Sequence, residues 1–431
     1  MFSLKTVLSS ALLASAAASD AYQTNYDVSR NGKTVKYVYQ ISAQGSHTPS
    51  MNQNINMTKN ADDEPKQYNY VTPLGIRQQY MIGNELRYRY VEEQTGFMDE
   101  LYNITQPFIQ TSWNDTTILS AQAMMLGIYP PTKNNYVLEE SQKYNAVPPI
   151  EGFDFKPWID EMGLEALPHQ TTIFPIQMNG WSYDYMLALD DTNCPYRGQM
   201  VNGIQKQMDD SAKEIIAANL QAMQQYVDKY GVNGFCSYVN WAYTESVDLK
   251  ADIEKETPLD SMFSTCQKVQ KNITEQIGNL ENQSLGQVSS VEVRNHTRNQ
   301  ILKWISELPT TTPSQQAEIN QMLAGVKLKT TAGSEHPRYV LFWTNEELLS
   351  QFALAFSNDP VVKNMLPLPP SSTILLEFTL DSSNALQVSG FINDQAVTLA
   401  NCGDQTTCGA RAFSDSIAQS LKISDVTSYC N

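Results

Sequence analysis

The stretch Val35–Pro49 reads VKYVYQISAQGSHTP. Alternating β-formers (Val35, Tyr37, Val38, Tyr39, Ile41) give way to Gly45, polar residues and a proline, the pattern of a strand ending in a sharp turn. That leaves Gln44, Ser46 and His47 at the strand's C-terminal edge, where an α/β sheet binds ligands. Beyond a polar loop over Ser50–Asn69, the segment Val71–Tyr90, VTPLGIRQQYMIGNELRYRY, predicts a helix. Thr72 can cap it and Pro73 fits its first position. Ile76, Tyr80, Ile82, Leu86 and Tyr90 recur at helical spacing, with Arg77, Arg87 and Arg89 expected on a solvated face. Pro107–Ser112 then reads as a strand, Trp113–Thr117 as a polar turn, and Leu119–Leu126 as a helix closed by Gly127. Two strand–turn–helix units in a row indicate an α/β chain with a parallel sheet and helices on its faces.

Thr171–Met178 is another β-like run, after which the texture becomes helical from about residue 197 to 313. Ser211 and Glu214 form a capping box for a helix stopped by Gly231, and further helices are expected over Leu259–Leu280 and His296–Leu308. The α/β pattern returns with a strand at Tyr339–Trp343 and a helix at Glu346–Phe356. Strands at Ile374–Leu380, Leu386–Ile392 and Ala396–Leu399 complete it. The helical block therefore reads as an insertion lying on the sheet.

Within 431 residues the formal charge is −17, which argues against nucleic acid or an anionic membrane surface as partners. Met1–Ser19 has the layout of a signal peptide: a lysine, a short apolar run, then small residues. The apolar run is too short for a transmembrane helix, which needs about 20 residues. Six cysteines (Cys194, Cys236, Cys266, Cys402, Cys408, Cys430) and six Asn-x-Ser/Thr sequons (Asn56, Asn103, Asn114, Asn272, Asn282, Asn295) agree with export through the secretory pathway. No Cys-x-x-Cys pair supports a zinc site, and no metal or other cofactor is expected.

Several blocks together resemble the histidine acid phosphatases, the branch that includes prostatic and lysosomal acid phosphatases and phytases. The opening turn stands where that family has Arg-His-Gly-x-Arg-x-Pro. VTPLGIRQQYMIGNELRYRY is similar to its Leu-Thr-Pro-x-Gly helix, and SWNDTTILSAQAMMLGIYPP to its Ser-Thr-Asp-x-x-Arg-Thr block. FPIQMNGWSYDYMLALDDTNCP and LLEFTLDSSNALQVSGFINDQAVTLANCGDQTTC match later blocks, in order. The resemblance implies a phosphoglycerate-mutase-like parallel sheet core flanked by helices, with an inserted α-helical cap. It divides the chain into a signal peptide (1–19), core (35–195), cap (196–313) and core again (314–431). It also implies the pairs Cys194–Cys430, Cys236–Cys266 and Cys402–Cys408, and is compatible with a homodimer.

The family's chemistry uses a histidine that attacks phosphorus, arginines and a second histidine that hold phosphate oxygens, and an acid that protonates the leaving group. The resemblance places the first arginine on Ala43 and the nucleophile on Gln44. The next arginines fall on His47 and Thr116, and the late His-Asp pair on Thr344 and Asn345. A glutamine amide nitrogen has its lone pair delocalised and is no nucleophile. Asn345 has no proton to give. The missing guanidinium contacts are worth about 1.5–3 kcal/mol each. The expectation is a secreted or lumenal glycoprotein, a pseudoenzyme with an unidentified ligand. The competing expectation is a rebuilt phosphatase site using His47 and Glu346. Taken alone, His47 reads as a hydrogen-bonded imidazole, His169, His296 and His336 as surface or structural residues, and Glu346 and Glu347 as first-turn acids. A glycan on Asn114 is expected to crowd the pocket entrance.

Overall fold

The structure, a computed structural model, describes residues 34–49, 55–93, 96–131, 137–203, 224–278, 285–326, 328, 337–400, 402–403, 405–423 and 426–430. The expected signal peptide, the Ser211–Glu214 capping box, Asn282 and His336 lie outside the described residues.

The opening stretch forms β1 (Val35–Ala43). It is followed by α1 (Pro73–Arg87), β2 (Pro107–Thr111), α2 (Asp115–Ile128) and the short β3 (Gln177–Met178). A helical block holds α3 (Gln224–Thr244), α4 (Leu259–Gly278) and α5 (Leu285–Ser306). The chain then runs through β4 (Tyr339–Thr344), α6 (Glu346–Phe356), β5 (Thr373–Leu380), β6 (Leu386–Ile392), β7 (Gln395–Val397), β8 (Thr407–Gly409) and α7 (Ala410–Ser420). Strand order is β3-β2-β4-β1-β5-β6-β7, with β8 also pairing with β6. From β3 to β1 the pairings are parallel; from β1 outward they are antiparallel. The parallel half puts the C-terminal ends of β1, β2 and β4 along one edge, with Ala43 opposite Thr344 and Thr111 opposite Trp343.

Strand alternation divides the core between the two sheet faces. Tyr39, Ile41 and Phe342 pack with Trp304 of α5, Phe352 of α6 and Phe413 of α7. Val38, Leu341 and Trp343 pack on the other side with Leu86, Met124 and Met125. Helices α3 and α4 bury their own cluster around Phe235, Val239, Met262 and Val269. Although α5 belongs to the helical block in sequence, its Val288, Val291 and Ile301 join the sheet core.

The structure corrects several local expectations. The α2 helix begins at Asp115, because Asn114 caps it through an acceptor contact to Thr116 N at 3.3 Å. Asn, Asp and Thr start turns and helices alike, so Trp113–Thr117 read as a turn. Gly127 does not end that helix; it lets α1 approach. A Cβ on Gly127 would lie 2.2 Å from Tyr80 O, and one on Gly83 would lie 2.0 Å from Met124 O. The buried face of α1 is therefore Gly75, Gln79, Gly83 and Leu86, which leaves Ile76 exposed.

Arg87 and Arg89 are buried rather than solvated. Arg87 pairs with Glu92 at 3.0 Å, and Arg89 with Glu85 and, at 2.8 Å, Asp394. Gly231 interrupts α3 with φ 73°, but the helix resumes beyond it. Of Thr171–Met178 only the last two residues are strand. All three cystine pairs implied by the resemblance are formed.

Candidate functional site

Two glycines build the turn after β1. A Cβ on Gly45 would lie 2.5 Å from Gly75 O, and one on Gly75 would lie 2.1 Å from Ser46 O. The need for glycine here is close backbone approach rather than an unusual φ. Gly45 N donates to Ser120 Oγ (2.9 Å) and Ser46 N to Gln78 Oε1 (3.1 Å). Gln79, fully buried in α1, donates to Ala43 O (3.0 Å) and Ser371 Oγ (3.1 Å) and accepts from Trp343 Nε1 (3.3 Å). The Glu245 carboxylate closes the corner, accepting from Ser46 Oγ and Thr72 Oγ1, each at 2.6 Å.

The candidate residues separate into two groups. Gln44, His47, Thr116 and Glu346 converge. Gln44, buried at the end of β1, accepts a hydrogen bond from Thr116 Oγ1. Its amide nitrogen faces His47 Nε2 and Glu346 Oε2, both at 3.4 Å. His47 Nδ1 lies 3.2 Å from Gly45 O and 3.5 Å from Glu346 Oε1. These neighbours suit the tautomer protonated on Nδ1, with the Nε2 lone pair turned to the Gln44 amide. Burial raises the Glu346 carboxyl above its ordinary value, with His47 and Gln44 opposing; its Oε1 is buried without a hydrogen-bond partner.

Ala43, Thr344 and Asn345 serve the fold. Ala43 contributes backbone groups alone: its N–H donates to Ser372 O (2.8 Å) and its oxygen accepts from Gln79. Thr344 Oγ1 donates to Leu187 O (2.7 Å), and Asn345 caps α6 by accepting from Leu348 N (2.8 Å). Glu347 pairs with the buried Arg197 at 2.6 Å. His296 meets the Tyr39 hydroxyl at 3.0 Å, 5.1 Å by ring centroid from Phe342; His169 is exposed. Asn114 is half-buried, and its side-chain oxygen also receives Asn69 Nδ2 at 3.3 Å.

In front of the corner lies a cavity of about 350 Å³. Ser46, His47 and Glu346 line one side, the facing surfaces of α3 and α4 another, and Pro367–Pro370 a third. Among the described residues lining it there is no lysine or arginine. Sequence reading missed the helix side of this wall. The signal was present as a second, polar stripe: Asn233, Ser237, Asn240 and Thr244 on α3, and Gln267, Gln270 and Thr274 on α4, are at helical spacing. Among the described residues no group of three or more His, Cys, Asp or Glu is placed to hold a metal ion.

Residues 19–302 match the model of the histidine phosphatase superfamily, branch 2. The chain belongs to that family. A curated relative, the lysosomal acid phosphatase of Xenopus laevis, is 37% identical over 67 residues, covering 16% of this chain and 15% of its own length. The putative acid phosphatase 5 of Caenorhabditis elegans is 29% identical over 104 residues, covering 24% and 23%. The matched stretches thus span under a quarter of either relative. The fold is shared much more widely. The apo phytase of Hafnia alvei superposes with a TM-score of 0.54 over 92% of this chain and 98% of its own, at 11% identity.

Proposed function

We propose that this family member is an exported glycoprotein that keeps the histidine-phosphatase frame and has lost phosphomonoester hydrolysis, acting through binding or as a structural protein. The observation that carries this reading is Gln44, which stands where the resemblance aligns the nucleophile. Its amide is held by Thr116 on one side and faces His47 and Glu346 on the other, and no guanidinium lines the adjoining cavity among the described residues. In a hydrolase, loss of the nucleophile alone costs on the order of a millionfold in turnover. The proposal includes the division into signal peptide (1–19), core (35–195 and 314–431) and cap (196–313), and glycans on sequons such as the exposed Asn56 and Asn272. Export is supported by the three cystines. Among the described residues no helix is long and apolar enough to cross a membrane.

One observation favours a second reading. His47 Nδ1 and Glu346 Oε1 are 3.5 Å apart, and a carboxyl with a raised pKa is suited to donate a proton under acidic conditions. The decisive assay is hydrolysis of an aryl phosphate from pH 3 to 7 by the purified chain. No turnover above background supports the first reading. Turnover abolished by His47→Ala establishes the second.

A further inference from the structure

The wall of the cavity opposite the β1 corner is built from neutral hydrogen-bonding groups. Asn240 Nδ2 donates to Gln270 Oε1 at 2.8 Å, and Gln267 Nε2 donates to Asn240 Oδ1 at 3.3 Å. An amide carries two donor hydrogens and two acceptor lone pairs. This ladder therefore leaves donor capacity on Gln270 Nε2 and acceptor capacity on Gln267 Oε1. Asn233 adds a further amide at the exposed end of the same wall. Apolar surface is supplied by Trp241 and by Phe263, which stacks face to face on Tyr243 with centroids 3.8 Å apart. At the far side Glu346 lines the cavity, with its Oε1 buried and 3.5 Å from His47 Nδ1.

We infer that the cavity between the β1 corner and the α3–α4 face binds a neutral polyhydroxyl ligand, a sugar. Three properties select that class. Paired amides and a carboxylate match vicinal hydroxyls, which donate and accept at once. Trp241 and Phe263 offer apolar surface for the C–H faces of a ring, as a few placed polar groups in an apolar-aromatic lining do in small-molecule sites generally. A phosphate dianion would be desolvated beside Glu346 without a cation among the described lining residues, which is costly. An organic cation is disfavoured because His47 faces Glu346 and the other lining carboxylate, Glu347, is bound to Arg197. The cavity volume, about 350 Å³, falls in the range of about 300–1,000 Å³ usual for small-molecule sites.

This inference rests on the proposed loss of hydrolysis, and the experiment separates the two. Saturation-transfer NMR and titration calorimetry are run on the full chain with glucose, mannose and N-acetylglucosamine, and with glucose 6-phosphate as the charged counterpart. The expected result is saturable binding of at least one neutral sugar, with glucose 6-phosphate weaker than glucose. Gln270→Ala is expected to weaken sugar binding about tenfold, equivalent to about 1.4 kcal/mol. Asn233→Ala, at an exposed position, tests the same wall should Gln270→Ala fail to fold. No saturable binding of any of the three sugars, tighter binding of glucose 6-phosphate than of glucose, or wild-type affinity in the folded variants overturns the inference. Hydrolysis of glucose 6-phosphate in the same samples overturns the loss-of-hydrolysis reading instead.

Discussion

Two strand-to-helix corners meet at one sheet edge, after β1 and after β4, and they use their polar side chains differently. After β4 the chain enters α6 at once, and the side chains of Thr344 and Asn345 are spent on backbone groups: Leu187 O and Leu348 N. After β1 the next helix begins only at Pro73, and Gln44, His47, Thr116 and Glu346 come together from separate elements. The backbone beneath that second group is rigidly specified by Gly45, Gly75 and Gln79. A frame whose geometry depends on glycines and one buried amide tolerates exchange of the side chains it presents. On the proposed reading, that is the physical sense in which a family fold persists while its reactive groups change.

Substitutions can break this contrast in order of effect. Gly75→Ala drives a methyl group into Ser46 O at 2.1 Å and is expected to cost at least about 4 kcal/mol or prevent folding, read from denaturant unfolding. Gln79→Ala takes their side-chain partner from Ala43 O and Trp343 Nε1, while Ser371 Oγ keeps Gln78 Oε1 at 3.1 Å. A loss of about 3 kcal/mol follows from buried groups left unpaired, and a change under about 1 kcal/mol would show that the corner does not depend on it. Asn345→Ala removes a helix cap, for a loss of about 1 kcal/mol in the same measurement; a loss several times larger would mean that Asn345 also serves the pocket.

The smallest effect is one of slope. Because burial raises the Glu346 pKa in the folded chain, the folded state binds a proton that the unfolded state has already released. Stability is therefore fully present below the unfolded carboxylate pKa and declines as pH rises toward the folded one. Glu346→Gln should flatten that decline in thermal unfolding between pH 4 and 7. An unchanged slope would contradict it.

Much of this frame was legible in sequence because it rests on local patterns. The run of β-formers in Val35–Ala43, the Thr72–Pro73 start of α1 and the acidic first turn of α6 each carry their own instruction. What was illegible depended on partners remote in sequence. Arg87 and Arg89 read as solvated because their burial depends on Ile128 O and on Asp394, both far along the chain. The interior face of α1 read as Ile76 and Tyr80, since hydrophobicity is visible and the need for glycine against α2 is not. At the site, Gln44 and Glu346 could be singled out from the family resemblance. Their meeting across the sheet edge, and the amide wall before them, required the packing of α3 and α4.

The Cys194–Cys430 bridge joins residues separated by 236 positions, so everything from the start of the helical block to the last turn of the chain belongs to one covalent loop. Loop closure of that length restricts the unfolded chain by about 5 kcal/mol in the entropic picture. It also has a consequence for the protein's life among proteases. A single cut anywhere inside the loop, whether in the helical block or on the sheet side, releases no fragment: the two pieces travel together until a reductant parts them.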